Sequence, residues 1–159
     1  MIEVPQHYRQ SSILPPRALL LAMLCQAPLL AAAWPPRPGL VTLAAGTVLL
    51  AAGMILNVLA ARCFRRRAVE ICPFGATPAL IEEGPFRFSR NPMYLGLVAL
   101  SAGFTLVSGV LANLWISVAY FIWLHHAYVL PEERFLRRQF GATYERYAQR
   151  IPRWLAPAK

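Results

Sequence analysis

Met93–Leu130 reads MYLGLVALSAGFTLVSGVLANLWISVAYFIWLHHAYVL, thirty-eight residues without one Asp, Glu, Lys or Arg. A helix needs about 20 predominantly apolar residues to cross a bilayer. The stretch is therefore long enough for two crossings. Ser108-Gly109 lies near its middle, and Gly commonly stops a helix. The expected arrangement is a hairpin with its tip there, made of crossings at about Met93–Val107 and Leu111–Val129. An antiparallel hairpin returns to the face it left, so the residues that flank it come together.

Two further apolar runs precede the hairpin, at about Ala18–Trp34 and Leu40–Ala61. The first contains Pro28, which predicts a kink. Pro35-Pro36-Arg37-Pro38-Gly39 predicts a tight turn between the two. Gly46 and Gly53 lie seven apart on one face of the second run and predict close helix contact. Asn57, near its inner end, reads as a helix–helix contact residue that can hydrogen-bond a neighbouring helix. After the hairpin, Pro131–Leu155 carries Leu136, Phe140, Tyr144, Tyr147 and Ile151 at steps of four and three. That spacing predicts an amphipathic tail, as one helix or a broken pair bent at Gly141, lying on the membrane surface or folded under the bundle. Trp154 fits an interfacial anchor.

The fold class is thus an all-α integral membrane protein. About four transmembrane helices and a cytoplasmic amphipathic C-terminal helix form one domain over residues 1–159. The composition agrees, with 57% hydrophobic and 14% charged residues, too few charges to cover a soluble surface of this size. A four-crossing chain puts fifteen of its sixteen Lys and Arg on one side, Arg37 being the exception. The positive-inside bias then places both termini in the cytoplasm. The net charge of +9 follows from that bias and predicts no nucleic-acid partner. Cys25, Cys63 and Cys72 form no CxxC and are odd in number, which predicts neither a disulfide framework nor a metal site; Cys25 reads as a small core residue. The N-terminal run has no Ala-x-Ala site followed by a polar chain and does not read as a signal peptide.

Two segments are dense in chemically capable residues, Gly84-Pro85-Phe86-Arg87-Phe88-Ser89-Arg90-Asn91-Pro92-Met93-Tyr94-Leu95-Gly96 and His125-His126 followed by Pro131-Glu132-Glu133-Arg134. They flank the hairpin and meet at its open end. Such a pair suits a polar, zwitterionic ligand. Arg90 can fork onto a carboxylate. Glu132 or Glu133 can accept from an ammonium or from ribose hydroxyls, and Asn91 beside Pro92 can read an amide-like edge. Tyr94 can face a sulfonium. The plainer alternatives are an interfacial Arg90 with its head at the lipid phosphates and a Glu132-Glu133 pair that only favours the first turn of the tail helix. His125 and His126 are candidates for proton transfer, or simple hydrogen-bonding groups. The stretch from Glu70 to Glu83, with Pro73, Gly75 and Pro78, reads as a connector or a substrate lid.

The Gly84–Gly96 run, the hydrophobic hairpin, Glu132-Glu133-Arg134-Phe135-Leu136-Arg137-Arg138-Gln139-Phe140-Gly141 and then Tyr144, Tyr147, Pro152 and Arg153 together resemble the isoprenylcysteine carboxyl methyltransferase family, to which the membrane phospholipid N-methyltransferases look related. The likeness runs from about Ala68 to Leu155. It implies S-adenosylmethionine as cofactor. It also implies cofactor contacts at Arg90, Asn91, Pro92, Tyr94 and Gly96, from an Arg-His-Pro-x-Tyr-x-Gly motif, at Glu132 and Glu133, and at Tyr144 and Tyr147. His126 joins this set from its position, and Arg90, Glu132 and His125 are the expected catalytic residues. Two positions depart from the pattern: Asn91 stands where the eukaryotic motif has His, and no Arg lies between His125 and Pro131.

The expected function is S-adenosylmethionine-dependent methyl transfer to a lipid or lipidated acceptor at the inner face of a bacterial inner membrane. A prenylcysteine-like carboxylate, a phospholipid amine and an isoprenoid hydroxyl are all open as acceptors. The alternatives are a nicotinamide-dependent membrane reductase and a non-enzymatic membrane subunit.

Overall fold

A computed structural model describes residues 14–32, 38–66 and 80–155. Trp34 through Arg37, Arg67, Cys72, Glu70 with the connector to residue 79, Arg9 and Lys159 lie outside the described residues, as do the side chains of residues 28–30 and with them the effect of Pro28. Among the described residues every regular element is helical. These are α1 (Pro15–Ala32), α2 (Leu40–Arg66), a 3-10 turn at Gly84–Arg87, α3 (Pro92–Ser108), a 3-10 turn at Leu111–Asn113, α4 (Leu114–Leu124), a π-helical turn at His125–Val129, α5 (Leu130–Phe140) and α6 (Ala142–Arg150).

Two of these stretches are long and apolar enough to cross a membrane, Leu40–Arg66 and the continuous helix Leu111–Phe140. The apolar α3 is shorter, at 17 residues, and α1 has 18. Little of the two long helices is buried inside the bundle, and Leu40 (82% exposed), Val41, Val48 and Ile122 point outward. An apolar outer face of this extent suits lipid and is unusual for a soluble monomer.

Glycine sets the packing of α2 on α3. A Cβ on Gly46 would lie 2.8 Å from the Gly103 carbonyl oxygen, and one on Gly53 would lie 2.7 Å from that of Gly96. Each of those partners in turn faces the first glycine's carbonyl. The two backbones touch at two points seven residues apart, as small residues permit between helices that have no hydrophobic drive to associate in lipid. Asn57 makes the expected contact with the neighbouring helix, although its hydrogen bond among the described residues stays on its own helix. Its Nδ2 donates to Gly53 O on its own helix at 2.9 Å, while its amide packs over Gly96, whose missing side chain makes the room.

The hairpin turns where it was expected to. Gly109 caps α3 in the left-handed region at φ +72°, and Pro38 packs so closely on it that a Cβ would clash. Helix α1 is tied to the hairpin by polar groups. Thr105 Oγ1 donates to Gln26 Oε1 at 2.9 Å, and Asn113 Nδ2 donates to Gln26 O at 3.3 Å. Tyr120 Oη donates to Pro15 O at 2.9 Å. Cys25 is exposed rather than in the core; the buried stripe of α1 runs through Ala18, Leu19, Ala22 and Gln26, which turns residue 25 outward.

The tail does not begin as a new helix at Pro131. Leu130 N–H bonds His125 O, five residues back, and this widened turn carries the fourth helix on into α5. A proline inside an α-helix clashes with the carbonyl four residues earlier, and a π turn just before it relieves that crowding. The helix ends at Gly141 (φ +51°), and α6 folds back so that Tyr144 and Tyr147 are buried. Trp154 packs on the bundle and is half-buried. Its ring packs 5.0 Å from Phe121 and 6.0 Å from His125.

Candidate functional site

The corner Ser89-Arg90-Asn91-Pro92 closes the bundle at the open end of the hairpin. Pro92 is the first residue of α3, a position where its missing N–H costs nothing. Asn91 precedes it with non-helical backbone and makes no side-chain cap, which leaves its amide for tertiary contacts. Asn91 Nδ2 donates to Glu133 Oε1 at 3.3 Å and to Arg153 O at 3.2 Å. The C-terminal strap is held on the same corner: Arg90 N–H donates to Pro152 O at 3.0 Å, and Ser89 Oγ donates to Arg153 O at 3.2 Å.

Glu133 is 3% exposed and fully engaged. Arg153 forks onto it, Nε to Oε1 at 3.0 Å and Nη2 to Oε2 at 2.8 Å, and Arg90 Nη1 lies 3.4 Å from Oε2. A buried carboxylate is tolerable only with such partners. Glu133 therefore organises the site and has little capacity left for a ligand.

Glu132 has a different environment. Its Oε2 accepts from Tyr94 Oη at 2.8 Å, and the residue lines both cavities of the site. It lies on α5 beyond the charge-free stretch. Two adjacent carboxyls thus differ, one locked in an ion pair and one hydrogen-bonded to a tyrosine at the cavity wall.

Arg90 is 11% exposed. Its Nη1 donates to Tyr144 Oη at 3.4 Å, whereas its buried Nε has no hydrogen-bond partner among the described residues. Burial pushes the Tyr144 phenol up to about 12, so it stays a neutral hydroxyl. Tyr147 Oη donates to Phe86 O at 2.8 Å and pins the 3-10 turn to α6.

Two adjoining cavities meet at Arg90, Asn91 and Glu132. The larger, of about 220 Å³, has apolar walls from Pro15, Phe64, Met93, Leu97 and Phe135, with Asn57 and Tyr94. The smaller, of about 50 Å³, runs under the tail and is lined by Glu133, Tyr144 and Tyr147. The expected site residues Arg90, Asn91, Pro92, Tyr94, Glu132, Glu133, Tyr144 and Tyr147 all line one or both. Three others do not. Gly96 is occupied in the α2–α3 contact. His125 packs beside Phe121 and Trp154, and His126 is exposed. Arg153 and Asn57 belong to the site and were not among the expected residues. The buried charge of Glu133 was the available sign that another cation had to reach it.

The donor set suits a zwitterion that also carries an apolar partner. The orphaned Arg90 Nε is a donor for an anionic group, Glu132 is an acceptor within the same walls, and the apolar chamber adjoins both.

A model of the phospholipid methyltransferase family matches residues 41–143. Protein-S-isoprenylcysteine O-methyltransferase B of Arabidopsis thaliana is 34% identical over 76 residues, 46% of this chain and 37% of that protein. The chain therefore spans well under half the length of this relative. No solved structure matches. The family match takes in most of α2, the Arg90-Asn91-Pro92 corner, the hairpin, Glu132-Glu133 and the start of α6, and the chain belongs to the phospholipid methyltransferase family.

Proposed function

We propose that this protein transfers a methyl group from S-adenosylmethionine to a lipophilic acceptor at one face of a membrane. The observation that carries this reading is that the polar corner of Arg90, Asn91 and Glu132 opens onto two adjoining cavities with otherwise largely apolar walls, in a chain of the phospholipid methyltransferase family. The polar corner suits the charged ends of a water-soluble zwitterion, and the apolar walls suit an apolar acceptor.

The residues present fit the cofactor. Arg90, through its free Nε, would hold the carboxylate end, and Glu132 would accept from the ammonium or ribose. Tyr144, neutral and held by Arg90, would close the polar end. When bound, S-adenosylmethionine supplies an electrophilic methyl on a positively charged sulfur. That charge vanishes as the methyl moves, so a site that gripped the sulfonium itself would favour the ground state. Holding the two ends avoids this and leaves alignment to act, worth up to about 7–11 kcal/mol in ideal cases.

Glu132 also bears on the acceptor. A carboxylate acceptor arrives deprotonated and needs no base. An amine or hydroxyl must lose a proton, and Glu132, at the wall of both cavities, is placed to take it. The fifteen basic residues on one side support four crossings with both termini and the site in the cytoplasm. At 1.5 Å per residue α1 and α3 reach roughly 25–27 Å, a small mismatch that a bilayer absorbs.

Membranes containing the protein, incubated with methyl-labelled S-adenosylmethionine and fractionated lipid extracts, test the reading. Label should enter an organic-extractable product, and Glu132→Gln should abolish it. No label in any lipid or lipidated fraction, or undiminished labelling by the variant, would overturn it.

A further inference from the structure

A third concavity shares no residue with the two cavities of the site. It is an open groove of about 470 Å³ on the outer side of the C-terminal half of α2, closed along one edge by the 3-10 turn. Leu56 and Leu59 line its membrane end. Arg62 and Arg66 continue the same face of α2 to the helix end, and Arg87 and the 72%-exposed Phe88 face them from the turn. The groove is thus apolar toward the bilayer and cationic where α2 leaves it.

Among the described residues the charges there are uncompensated. Elsewhere in the described residues Arg90 and Arg153 meet Glu133, Arg137 meets Glu145 and Arg150 meets Glu82. Arg62, Arg66 and Arg87 are exposed and have no carboxylate partner among the described residues. Three guanidiniums brought together from two elements repel one another unless an anion sits between them, and guanidinium suits the oxygens of a phosphate. The adjoining leucines and Phe88 give that anion apolar chains to lie beside.

We infer that this groove binds an anionic glycerophospholipid, its phosphate between Arg62, Arg66 and Arg87 and its acyl chains along Leu56 and Leu59, as a bound lipid distinct from the methyl acceptor. The site has a route to the chemistry. Pro85, Arg87 and Phe88 face the groove, while Phe86 between them lines both cavities and takes the Tyr147 hydrogen bond. A lipid in the groove holds this turn against α2 and so steadies the wall of the cavities.

Native mass spectrometry of the full chain in detergent, titrated with phosphatidylglycerol or phosphatidylcholine, tests the inference. Each of Arg62→Gln, Arg66→Gln and Arg87→Gln should weaken phosphatidylglycerol binding about fivefold, and the triple variant about a hundredfold. Phosphatidylcholine should bind the wild type more weakly than phosphatidylglycerol. A control triple variant on the exposed tail, Arg134→Gln with Arg138→Gln and Arg146→Gln, should bind like the wild type. If the groove triple variant does not fold, the three single variants decide. Undiminished binding by the groove variants, or equal loss in the tail variant, would overturn the inference. So would complete displacement of phosphatidylglycerol by millimolar inorganic phosphate, since an anion site alone needs no lipid.

Discussion

The Asn91 amide donates to the Glu133 carboxylate at 3.3 Å across 42 positions of sequence, and this bond joins the two ends of the uncharged hairpin. Asn91 serves as a neutral donor there, beside a carboxylate that already holds two guanidiniums. Asn91→Asp should replace the bond by like-charge repulsion and lower both the unfolding temperature and cofactor affinity. Asn91→Ala should cost less, about 1–3 kcal/mol, because Glu133 keeps the Arg153 fork. Thermal unfolding of the two variants in detergent checks the order; an Asp variant as stable as the wild type would contradict it.

Glu133 is the shared counter-charge of Arg90 and Arg153. Its replacement by Gln leaves both guanidiniums without their anion and should destabilise the protein by about 3–5 kcal/mol. Equilibrium unfolding measures this. A change near zero would mean that solvent already carries the load.

The close α2–α3 contact makes its own forecast. Gly53→Ala and Gly96→Ala each put a Cβ against backbone and should cost about 1–3 kcal/mol. Gly39→Ala meets only Thr42 Oγ1 at 3.8 Å and should fall within about 0.5 kcal/mol of wild type. Similar unfolding temperatures for all three would contradict the packing.

The hairpin and its joined ends were legible because the absence of charge from 93 to 130 admits few other arrangements. Gly46 and Gly53 were legible because their spacing puts them on one helix face. The π turn at His125–Val129 was not, since no hydrophobic period marks a single widened turn. Pro131 therefore read as a helix start, although it lies inside one continuous helix. His125 and His126 read as site residues from their chemistry alone; the widened turn directs one at Trp154 and leaves the other exposed. Arg153, twenty residues beyond Glu133, could not be placed until α6 was seen to fold back. Gly96 matched a motif position, yet its role here is to admit Asn57 and the α2 backbone.

Calorimetric titration with S-adenosylhomocysteine tests the central claim most directly, that Arg90 and Glu132 together form the donor pocket. The wild type should bind, and Arg90→Ala and Glu132→Gln should each lose binding while still unfolding in a single cooperative transition. Wild-type heats from both folded variants would contradict the claim.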